Sequence, residues 1–498
     1  MFNLLFILSI IPLVLFLILL LWKKMPLLEV SALTLILTTA LMFFYWKIFP
    51  ALLLISFAKG FFVALDIFLI ILGAIFFLEI LRDLKIIDNI SYYLESFSKD
   101  YRVQVIILAW FFENFLEGTA GFGTASVVVV PLLIGLGLPP LKAIIVSLLG
   151  NSTSVIFGAA GTPIRIGFAG LDYPSIPQLS AWINCIGFIV PIFMLLALVS
   201  DKPDKKKQFW EALPFAVWAG IAFVVPSALT VFLGQEFPSI LGSVIGLLLV
   251  LLTTKLGIFS PKNIRSACET REPRQTLSYF KAFFPYFLLI VFLILGKIFL
   301  GSINFLIPLG INHKFNLFNP GFAFIIAGLP IALFWGSAKH RMPVQAIKTA
   351  IKKSIGPFLV IAYISIIVQL MINSGQNSSG LPSSIALIAK NFETALLPFW
   401  TPFIGAFGSF ITGSATISNI MFGNFLDLAS QATSMDTAKI LALTLVGGAA
   451  GNMTALADIL AVETVVGIKN QERAILKGVI FPCLVYLALA GIIGLLIV

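Results

Sequence analysis

The sequence predicts an all-α polytopic membrane protein with about 12–14 spans in two inverted repeats, whose helices are broken and re-entrant at glycines. Three observations support this. Of 498 residues, 59% are hydrophobic and only 11% are charged, whereas about a quarter of the residues of a soluble domain are charged. Apolar runs of spanning length recur to the end of the chain. Short glycine-rich motifs of the first half recur in the second half.

The composition also excludes several classes of protein. The net charge of +10 comes from short basic runs between apolar stretches, which is typical of topology signals and not of a nucleic-acid interface. The three cysteines, Cys185, Cys268 and Cys483, are too far apart for a disulfide framework or a metal knuckle. With His313 and His340 as the only histidines, we expect no metal site and no cofactor.

Each apolar run is predicted to be a helix, because backbone groups in lipid must be hydrogen-bonded within the chain. Residues 4–22 are interpreted as a permanent span and not a cleaved signal, since no basic residue precedes them and Lys23 and Lys24 follow. Residues 51–81 exceed one straight span, which predicts a broken or steeply tilted helix. The other predicted spans cover residues 27–46, 103–116, 141–160, 181–200, 212–233, 240–256, 282–300, 320–338, 355–372, 399–411, 438–450 and 476–497.

The basic residues predict the orientation of the spans. Six segments hold 24 of the 32 lysines and arginines, and the positive-inside rule assigns them to the cytoplasm. Both termini are then predicted to lie outside the cytoplasm. The six basic segments are residues 23–24, 82–102, 202–207, 255–281, 339–353 and 469–477.

The two halves of the chain share motifs in the same order. FLEGTA at 115–120 matches FITGSA at 410–415, and GNST at 150–153 matches GNMT at 451–454. The charge-derived topology enters the two copies from opposite sides, which predicts inverted repeats with a substrate site at their interface. The predicted divisions are a first transmembrane half at 1–256, a basic cytoplasmic linker at 257–281 and a second half at 282–498.

Glycine breaks at membrane depth are the first candidate site. Irregular backbone is tolerated there only where it is buried in protein or lines a wet cavity, and the N–H groups freed at a half-helix start attract anions. The alternative is close helix packing through small residues. The candidate ligands of a small organic anion at the two breaks are Gly118, Thr119, Gly121, Gly123, Thr124, Gly413, Ser414, Thr416, Ser418 and Asn419.

Acidic side chains within the apolar segments are the second candidate. Glu113 and Glu117 lie four residues apart, hence on one helix face, and Asp458 follows the second-half break. An ionised carboxylate in lipid costs several kcal/mol, so such a group faces a cavity, forms a pair or takes a proton. We interpret Glu117, Glu113 and Asp458 as candidate proton carriers. The alternative is a structural role, with the carboxyl groups hydrogen-bonded to the glycine-rich backbone.

Further polar residues follow the first break. Asn151 and Thr153 are neutral donors that could bind a carboxylate, as are Asn452 and Thr454 in the second half. Arg165 could bind a carboxylate through two hydrogen bonds, or could instead extend to the membrane interface. Because no nucleotide-binding or catalytic motif is present, we expect no enzyme and no nucleotide-driven pump, but a carrier driven by an ion gradient.

The long motifs resemble the bacterial lactate permease family. In the first half these are FLEGTAGFGT (115–124), PLLIGLGLPPLKA (131–143) and GNSTSVIFGAAGTPI (150–164). In the second half they are FWTPFIGAFGSFITGSATISNIMFGN (399–424) and GGAAGNMTALADILAVETVVG (447–467).

The resemblance implies uptake of L-lactate, or of glycolate, with a proton through the bacterial inner membrane. It also implies re-entrant hairpins and an elevator-like transport domain, with Glu117–Thr124 and Gly413–Asn419 as hairpin elements. The expected partners are the anion, the proton and the bilayer, and a homo-oligomer is left open.

The chain departs from the family pattern at a few positions. Ala415 stands where an acid is usual and Asn452 where a lysine is usual, while Asp458 and Glu463 stand at uncharged positions. A lost ion pair is one explanation, and an altered substrate or coupling ion is another. The alternative function is therefore a carrier for another organic anion, with sodium as the alternative coupling ion. A channel or a membrane enzyme is the class of protein that the sequence favours least.

Overall fold

The computed structural model describes residues 2–22, 25–121, 123–265, 277–301, 303–307, 313–335, 342–392, 394–468 and 470–498. The helices of the first half are α1 Phe2–Leu17, α2 Leu27–Ala40, α3 Pro50–Asp83, α4 Ile86–Glu95, α5 Tyr101–Ile106, α6 Glu113–Thr119, α7 Thr124–Gly135, α8 Pro140–Asn151, α9 Gly158–Arg165, α10 Ile176–Ile183, α11 Val190–Val199, α12 Lys205–Thr230 and α13 Pro238–Lys255.

The second half contains α14 Tyr279–Leu300, a short antiparallel pair of strands (β1 Asn304–Ile307 and β2 His313–Asn316), α15 Pro320–Trp335, α16 Met342–Asn373, α17 Ser384–Ala389, α18 Leu397–Thr412, α19 Ala415–Ala432, α20 Thr437–Asn452, α21 Leu456–Val466 and α22 Glu472–Ile497. Short 3-10 or π segments extend several of these helices, among them Ile107–Phe112 before α6 and Ser154–Phe157 before α9.

The chain is an all-α polytopic membrane protein. Among the described residues, nine helices are long and apolar enough to cross a bilayer, and the bent pair Pro140–Asn151 and Ser154–Arg165 would make a tenth. Large apolar side chains such as Leu54, Phe334 and Leu496 are exposed on the outer surface, as expected for contact with lipid. The sequence-based number of about 12–14 spans is higher because it also counted short apolar helices and broken segments.

The longest helices pack against each other. α3 and α16 form the most extensive helix contact, and α15 also packs on α3. Glycines allow this close approach, since a Cβ at Gly60 would lie 2.6 Å from the Ile366 backbone nitrogen and one at Gly73 would meet the Gly321 carbonyl. Of the two alternatives predicted for residues 51–81, the broken helix is wrong, because α3 is continuous over 34 residues. Its length of about 51 Å exceeds the ~30 Å hydrocarbon core, so it tilts or projects beyond it.

Several elements were not among the predicted spans. α7, α19 and α21 are the second arms of broken helices, and α4 is an amphipathic helix whose buried face includes Ile86 and Ile90. The two arms α7 and α21 contact each other, as do α9 and α19. In motif order, α7 of the first half corresponds to α19 of the second half, and α9 corresponds to α21. The contact between α7 and α21 is therefore the counterpart of the contact between α19 and α9.

The start of the basic linker is held to the first half. The buried Arg102 side chain pairs with Asp100 at 2.7 Å and donates to the Asn263 carbonyl at 3.0 Å. The Arg265 backbone N–H donates to Asp100 at 3.1 Å, and its guanidinium pairs with Asp204 at 2.7 Å. This network fixes residues 263–265 beside the starts of α5 and α12. Residues 266–276 of the linker, with Cys268, lie outside the described residues, as does His340.

Candidate functional site

The first helix break separates α6 from α7. The backbone turns at Gly121 (φ 59°) and Gly123 (φ 70°), a conformation that costs glycine little but other residues about 1–2 kcal/mol. The Thr124 hydroxyl donates to the Gly121 carbonyl at 2.8 Å and so fastens the turn at the start of α7. Gly118 packs against Ser239 and Ile240 of α13, which is a packing role. The Thr119 hydroxyl donates back to the Leu116 carbonyl at 3.0 Å.

The second break separates α18 from α19. Gly413 has a left-handed backbone (φ 70°), and Ser414 caps α19 by accepting from the Ile417 N–H at 3.4 Å. The N–H groups of Ala415 and Thr416 precede the first i→i−4 bond of α19, so they have no acceptor within the helix. The positive end of the α19 dipole is therefore at this break.

The two breaks border one narrow cleft whose open space is about 20 Å³, room for roughly one water molecule. The cleft is thus far smaller than an ordinary small-molecule site, and an organic anion would enter it only if the lining residues moved apart. Polar and small residues from both halves of the chain line it, which brings seven of the predicted residues together. The lining residues are Glu117, Gly121, Gly123, Val155, Gly158, Ala159, Thr162, Pro163, Gly413, Ser414, Ala415, Thr416 and Asn452.

Two carboxyl groups from opposite halves meet at this cleft. Glu117 is 3% exposed and lies within electrostatic range of Asp458, which is 7% exposed. Asp458 accepts from the Asn452 amide at 3.0 Å and lies against Gly123. Because Gly123 and Asn452 both line the cleft, Asp458 sits directly behind its wall.

Glycine makes room for Glu117 too. A Cβ at Gly158 would lie 2.6 Å from the Glu117 Oε1 atom, closer than side chains approach one another. The Asn151 amide contacts the same carboxyl group, while the buried Glu117 Oε2 atom has no hydrogen-bond partner among the described residues. Glu117 is thus held at one oxygen and has hydrogen-bonding capacity left at the other.

Glu113 lies one helical turn behind Glu117 and is fully buried. Its Oε1 atom accepts from Ser147 at 2.5 Å and from Ser126 at 2.7 Å, while Oε2 has no hydrogen-bond partner in the part of the chain that the structure describes. Glu113 does not line the cleft, and its two hydroxyl partners join α6 to α7 and α8. This geometry agrees with the structural interpretation of Glu113 as well as with storage of a proton.

No cation neutralises these acids in the described part of the chain. The ion pairs found there involve other carboxylates and leave out Glu113, Glu117 and Asp458. A buried carboxylate without a counter-charge is costly in a low-dielectric interior. The site can therefore hold protons or a bound cation, and it can hold an organic anion only when its own negative charge is neutralised.

The structure places Arg165 away from the cleft. Its guanidinium pairs with Glu236, a fully buried acid that also accepts from Lys297 at 3.1 Å. It also donates to the Phe318 carbonyl at 3.2 Å, and the Phe318 ring lies 5.6 Å from its Cζ atom. This contact joins the end of α9 to the loop before α13 and to α14. Among the described residues it does not bring Arg165 to the cleft, and the interfacial role stays a prediction.

Arg165→Ala is expected to lower the stability of the fold and to leave the affinity for the transported substrate unchanged. Removing the only cationic partner of a buried acid lowers the free energy of unfolding by about 3–5 kcal/mol. Because Lys297 still pairs with Glu236 in the variant, we expect the free energy of unfolding to fall by about 1–3 kcal/mol. Thermal unfolding should show a melting temperature several degrees lower, while the KM for uptake stays unchanged. A KM raised about tenfold with unchanged stability would instead assign Arg165 to the substrate.

The other predicted residues lie around the cleft. Asn419 donates to the Pro163 carbonyl at 3.0 Å and so joins α19 to the cleft wall. The Ser418 hydroxyl donates to the Gly405 carbonyl at 2.8 Å, which is a helix-packing contact. Thr153 is buried near Gly187 and Tyr486, away from the cleft. These three residues support the site and do not line it.

Sequence reasoning missed the segment that completes the cleft, residues 158–163. Ala159 and Ala160 have left-handed backbones (φ 42° and 52°), followed by Gly161 (φ 79°). Left-handed alanines cost about 1–2 kcal/mol each, and such strain persists at functional sites. Thr162 and Pro163 line the cleft beyond this bend. The only available signal was Gly158-Ala-Ala-Gly161 after a polar run, which is ordinary in a packed helix.

Comparison with known proteins shows the family to which the chain belongs. The model of the L-lactate permease family matches residues 5–308 and 302–498 of the chain. The chain belongs to the L-lactate permease family. The L-lactate permease of Salmonella typhimurium is 28% identical over 92% of this chain and 89% of the relative. The glycolate permease of Escherichia coli K12 is 26% identical over 94% of this chain and 90% of the relative.

A third relative, the L-lactate permease of Bacillus subtilis, is 26% identical over 86% of this chain and 84% of the relative. The chain is therefore a permease and not an enzyme. Of the four positions at which the sequence is expected to depart from the family pattern, Ala415 and Asn452 line the cleft, whereas Asp458 and Glu463 do not.

Proposed function

We propose that this permease takes up L-lactate, or the related glycolate, together with a proton across the bacterial inner membrane. The observation that carries the proposal is the cleft between the two helix breaks, with Glu117 on its wall, Asp458 behind it and no paired cation among the described residues. The names of the relatives support the choice of a short 2-hydroxy monocarboxylate.

The substrate carboxylate is proposed to bind at the start of α19. The unpaired N–H groups of Ala415 and Thr416 and the hydroxyl groups of Ser414 and Thr416 provide donors for its oxygens. The Thr162 hydroxyl already donates to the Ala159 carbonyl at 2.6 Å, so its oxygen remains available as an acceptor for a substrate hydroxyl. The small apolar walls at Val155, Ala159 and Pro163 suit a methyl group.

Charge accounts for the coupling. An anion entering a cleft that already holds two ionised carboxyl groups would meet repulsion in a low-dielectric site. Protonation of Glu117 and Asp458 removes that repulsion and supplies donors. Substrate and proton therefore favour each other's binding by the same free energy, as linkage requires. Glu117 is proposed as the main proton carrier, with Asp458 as its partner and Glu113 as a reserve site.

The architecture is proposed to be two inverted repeats, 1–256 and 282–498, joined by the cytoplasmic linker 257–281, with both termini outside the cytoplasm. The paired contacts α7–α21 and α9–α19 support the repeat, because exchanging the halves exchanges these contacts. The concentration of basic residues in six segments supports the orientation. Alternating access would then move the broken helices about the cleft.

A second candidate is the same carrier coupled to sodium, or selective for another organic anion. It is favoured by Asn452, whose amide contacts Asp458, since carboxylate and amide oxygens also bind hard cations. Ala415 also supports this second candidate, because its side chain adds no charge to this wall of the cleft.

Uptake of radiolabelled L-lactate into proteoliposomes tests the proposal. With an inward proton gradient and no sodium, we expect accumulation that an uncoupler abolishes and that excess unlabelled glycolate inhibits. Liposomes without protein are the control. Accumulation that requires sodium and ignores the proton gradient would favour the second candidate, and absence of lactate uptake by folded protein would exclude lactate as the substrate.

A further inference from the structure

A groove on the outer surface lies between α8, α11 and α22, and it shares no lining residue with the cleft between the helix breaks. The volume of the groove is about 520 Å³, and its walls are mostly apolar, with a polar group of residues at one end. Because this chain is a membrane protein, such a groove faces the bilayer. The apolar part is built from Leu141, Ile145, Phe193, Leu196, Ala197, Phe481 and Pro482.

The floor of the groove depends on a glycine. A Cβ at Gly478 would lie 2.6 Å from the Ile145 Cδ1 atom, so the bare backbone of α22 lets α8 approach closely below the surface. Phe193 and Phe481 meet edge to face across the groove, with ring centroids 6.1 Å apart. Leu196 (43% exposed) and Phe481 (64% exposed) leave apolar surface uncovered along its length. The groove therefore has an apolar lining suited to acyl chains.

The polar end carries net positive charge. Lys142 donates to the Leu198 carbonyl at 3.0 Å and pairs with Asp201, which is 55% exposed. Lys477 is also exposed at this end and forms no ion pair with any described residue. Two lysines against one aspartate leave one positive charge, and Lys202, Lys205, Lys206 and Lys207 follow Asp201 directly in the chain.

The position of this charge agrees with a lipid headgroup. The polar residues adjoin segments 202–207 and 469–477, which the charge distribution assigns to the cytoplasmic side. Basic pockets between transmembrane helices on that side bind anionic lipid headgroups, because each lysine near the surface attracts the negative charge of the headgroup. A zwitterionic lipid would gain less binding free energy from the unpaired Lys477 than an anionic lipid. A protein segment in the groove would instead have to bury the charge of Lys477.

We propose that this groove, between Lys142, Lys477 and the Phe193–Phe481 pair, binds one anionic phospholipid. The phosphate would lie beside Lys477 and the Lys142–Asp201 pair, and an acyl chain would lie along Ile145 and Phe481. The proposal depends on the bilayer setting of the chain and not on the identity of the transported substrate.

Native mass spectrometry of the full-length permease in detergent tests the proposal. Phosphatidylglycerol and phosphatidylcholine with identical acyl chains are titrated separately. We expect one phosphatidylglycerol to bind at least fivefold more tightly, and Lys477→Gln to weaken it about fivefold without changing phosphatidylcholine binding. Lys352→Gln, at an exposed lysine of α16 outside the groove, is the matched control and should change neither.

Ala197→Trp provides a second variant, because the indole fills the apolar part of the groove and should reduce bound phosphatidylglycerol while Lys477 is intact. Equal affinity for the two lipids would overturn the proposal. So would unchanged phosphatidylglycerol binding in both groove variants, or a dimer whose formation excludes the lipid.

Discussion

Glu117→Gln is expected to abolish proton-driven accumulation of lactate while leaving the protein folded in the membrane. Glutamine keeps the size and the hydrogen-bonding capacity of the side chain but cannot take up or release a proton. In the wild type, Glu117 lines the cleft at 3% exposure without a paired cation among the described residues. The variant therefore resembles the protonated state permanently, so the anion still binds but no longer brings a proton with it.

Two assays on the same proteoliposomes measure this effect. Net accumulation driven by a proton gradient should fall to the level of empty liposomes, whereas exchange of labelled for unlabelled lactate should persist. Glu463→Gln is the matched control, because Glu463 is a buried acid of α21 outside the cleft and accepts from the Gln471 N–H at 2.9 Å. Accumulation at the wild-type rate in Glu117→Gln would contradict the assignment of Glu117 as the proton carrier.

Gly158→Ala is expected to reduce uptake at least tenfold, an effect of about 1.4 kcal/mol or more on the transport cycle. The added Cβ would lie 2.6 Å from the Glu117 Oε1 atom and would displace that carboxyl group from its place on the wall. The backbone of Gly158 is extended (φ −61°, ψ 152°), which alanine adopts without strain, so the effect does not come from the main chain.

The control is Gly356→Ala in α16, whose Cβ would meet no atom within 4 Å. Uptake and melting temperature of that variant should match the wild type. For Gly158→Ala we expect loss of uptake with a nearly normal melting temperature. Equal uptake in the two variants would mean that the contact between residue 158 and Glu117 has no part in transport.

The breaks and the acids could be predicted from sequence because their signals are local. Glycines and carboxylates within apolar runs violate the ordinary composition of a lipid-exposed helix, so FLEGTAGFGT identified both the turn and Glu117. The second break was found because it repeats the first. The helices of spanning length followed from hydropathy alone, which is the most dependable pattern in a chain of this kind.

The rest depended on tertiary contacts that a single sequence does not contain. Ala159 and Ala160 are strong helix formers by propensity, and only the surrounding structure holds them in a left-handed conformation. Arg165 has the chemistry of a carboxylate ligand, but its partner is Glu236, seventy-one residues further along the chain. Likewise, Asp458 and Glu117 lie in opposite halves of the chain, so the sequence does not show that they come close together in the fold.

The most direct test of the central claim measures the pH inside proteoliposomes that contain the wild-type permease and a trapped fluorescent pH indicator. L-lactate is added outside, with no sodium on either side and with valinomycin and potassium holding the membrane potential at zero. Proton-coupled uptake predicts prompt acidification of the interior, at a rate that rises with lactate concentration and saturates, and that is absent in Glu117→Gln. Entry of labelled lactate without acidification, or acidification only when sodium is present, would contradict the proposal that the cleft couples the anion to a proton.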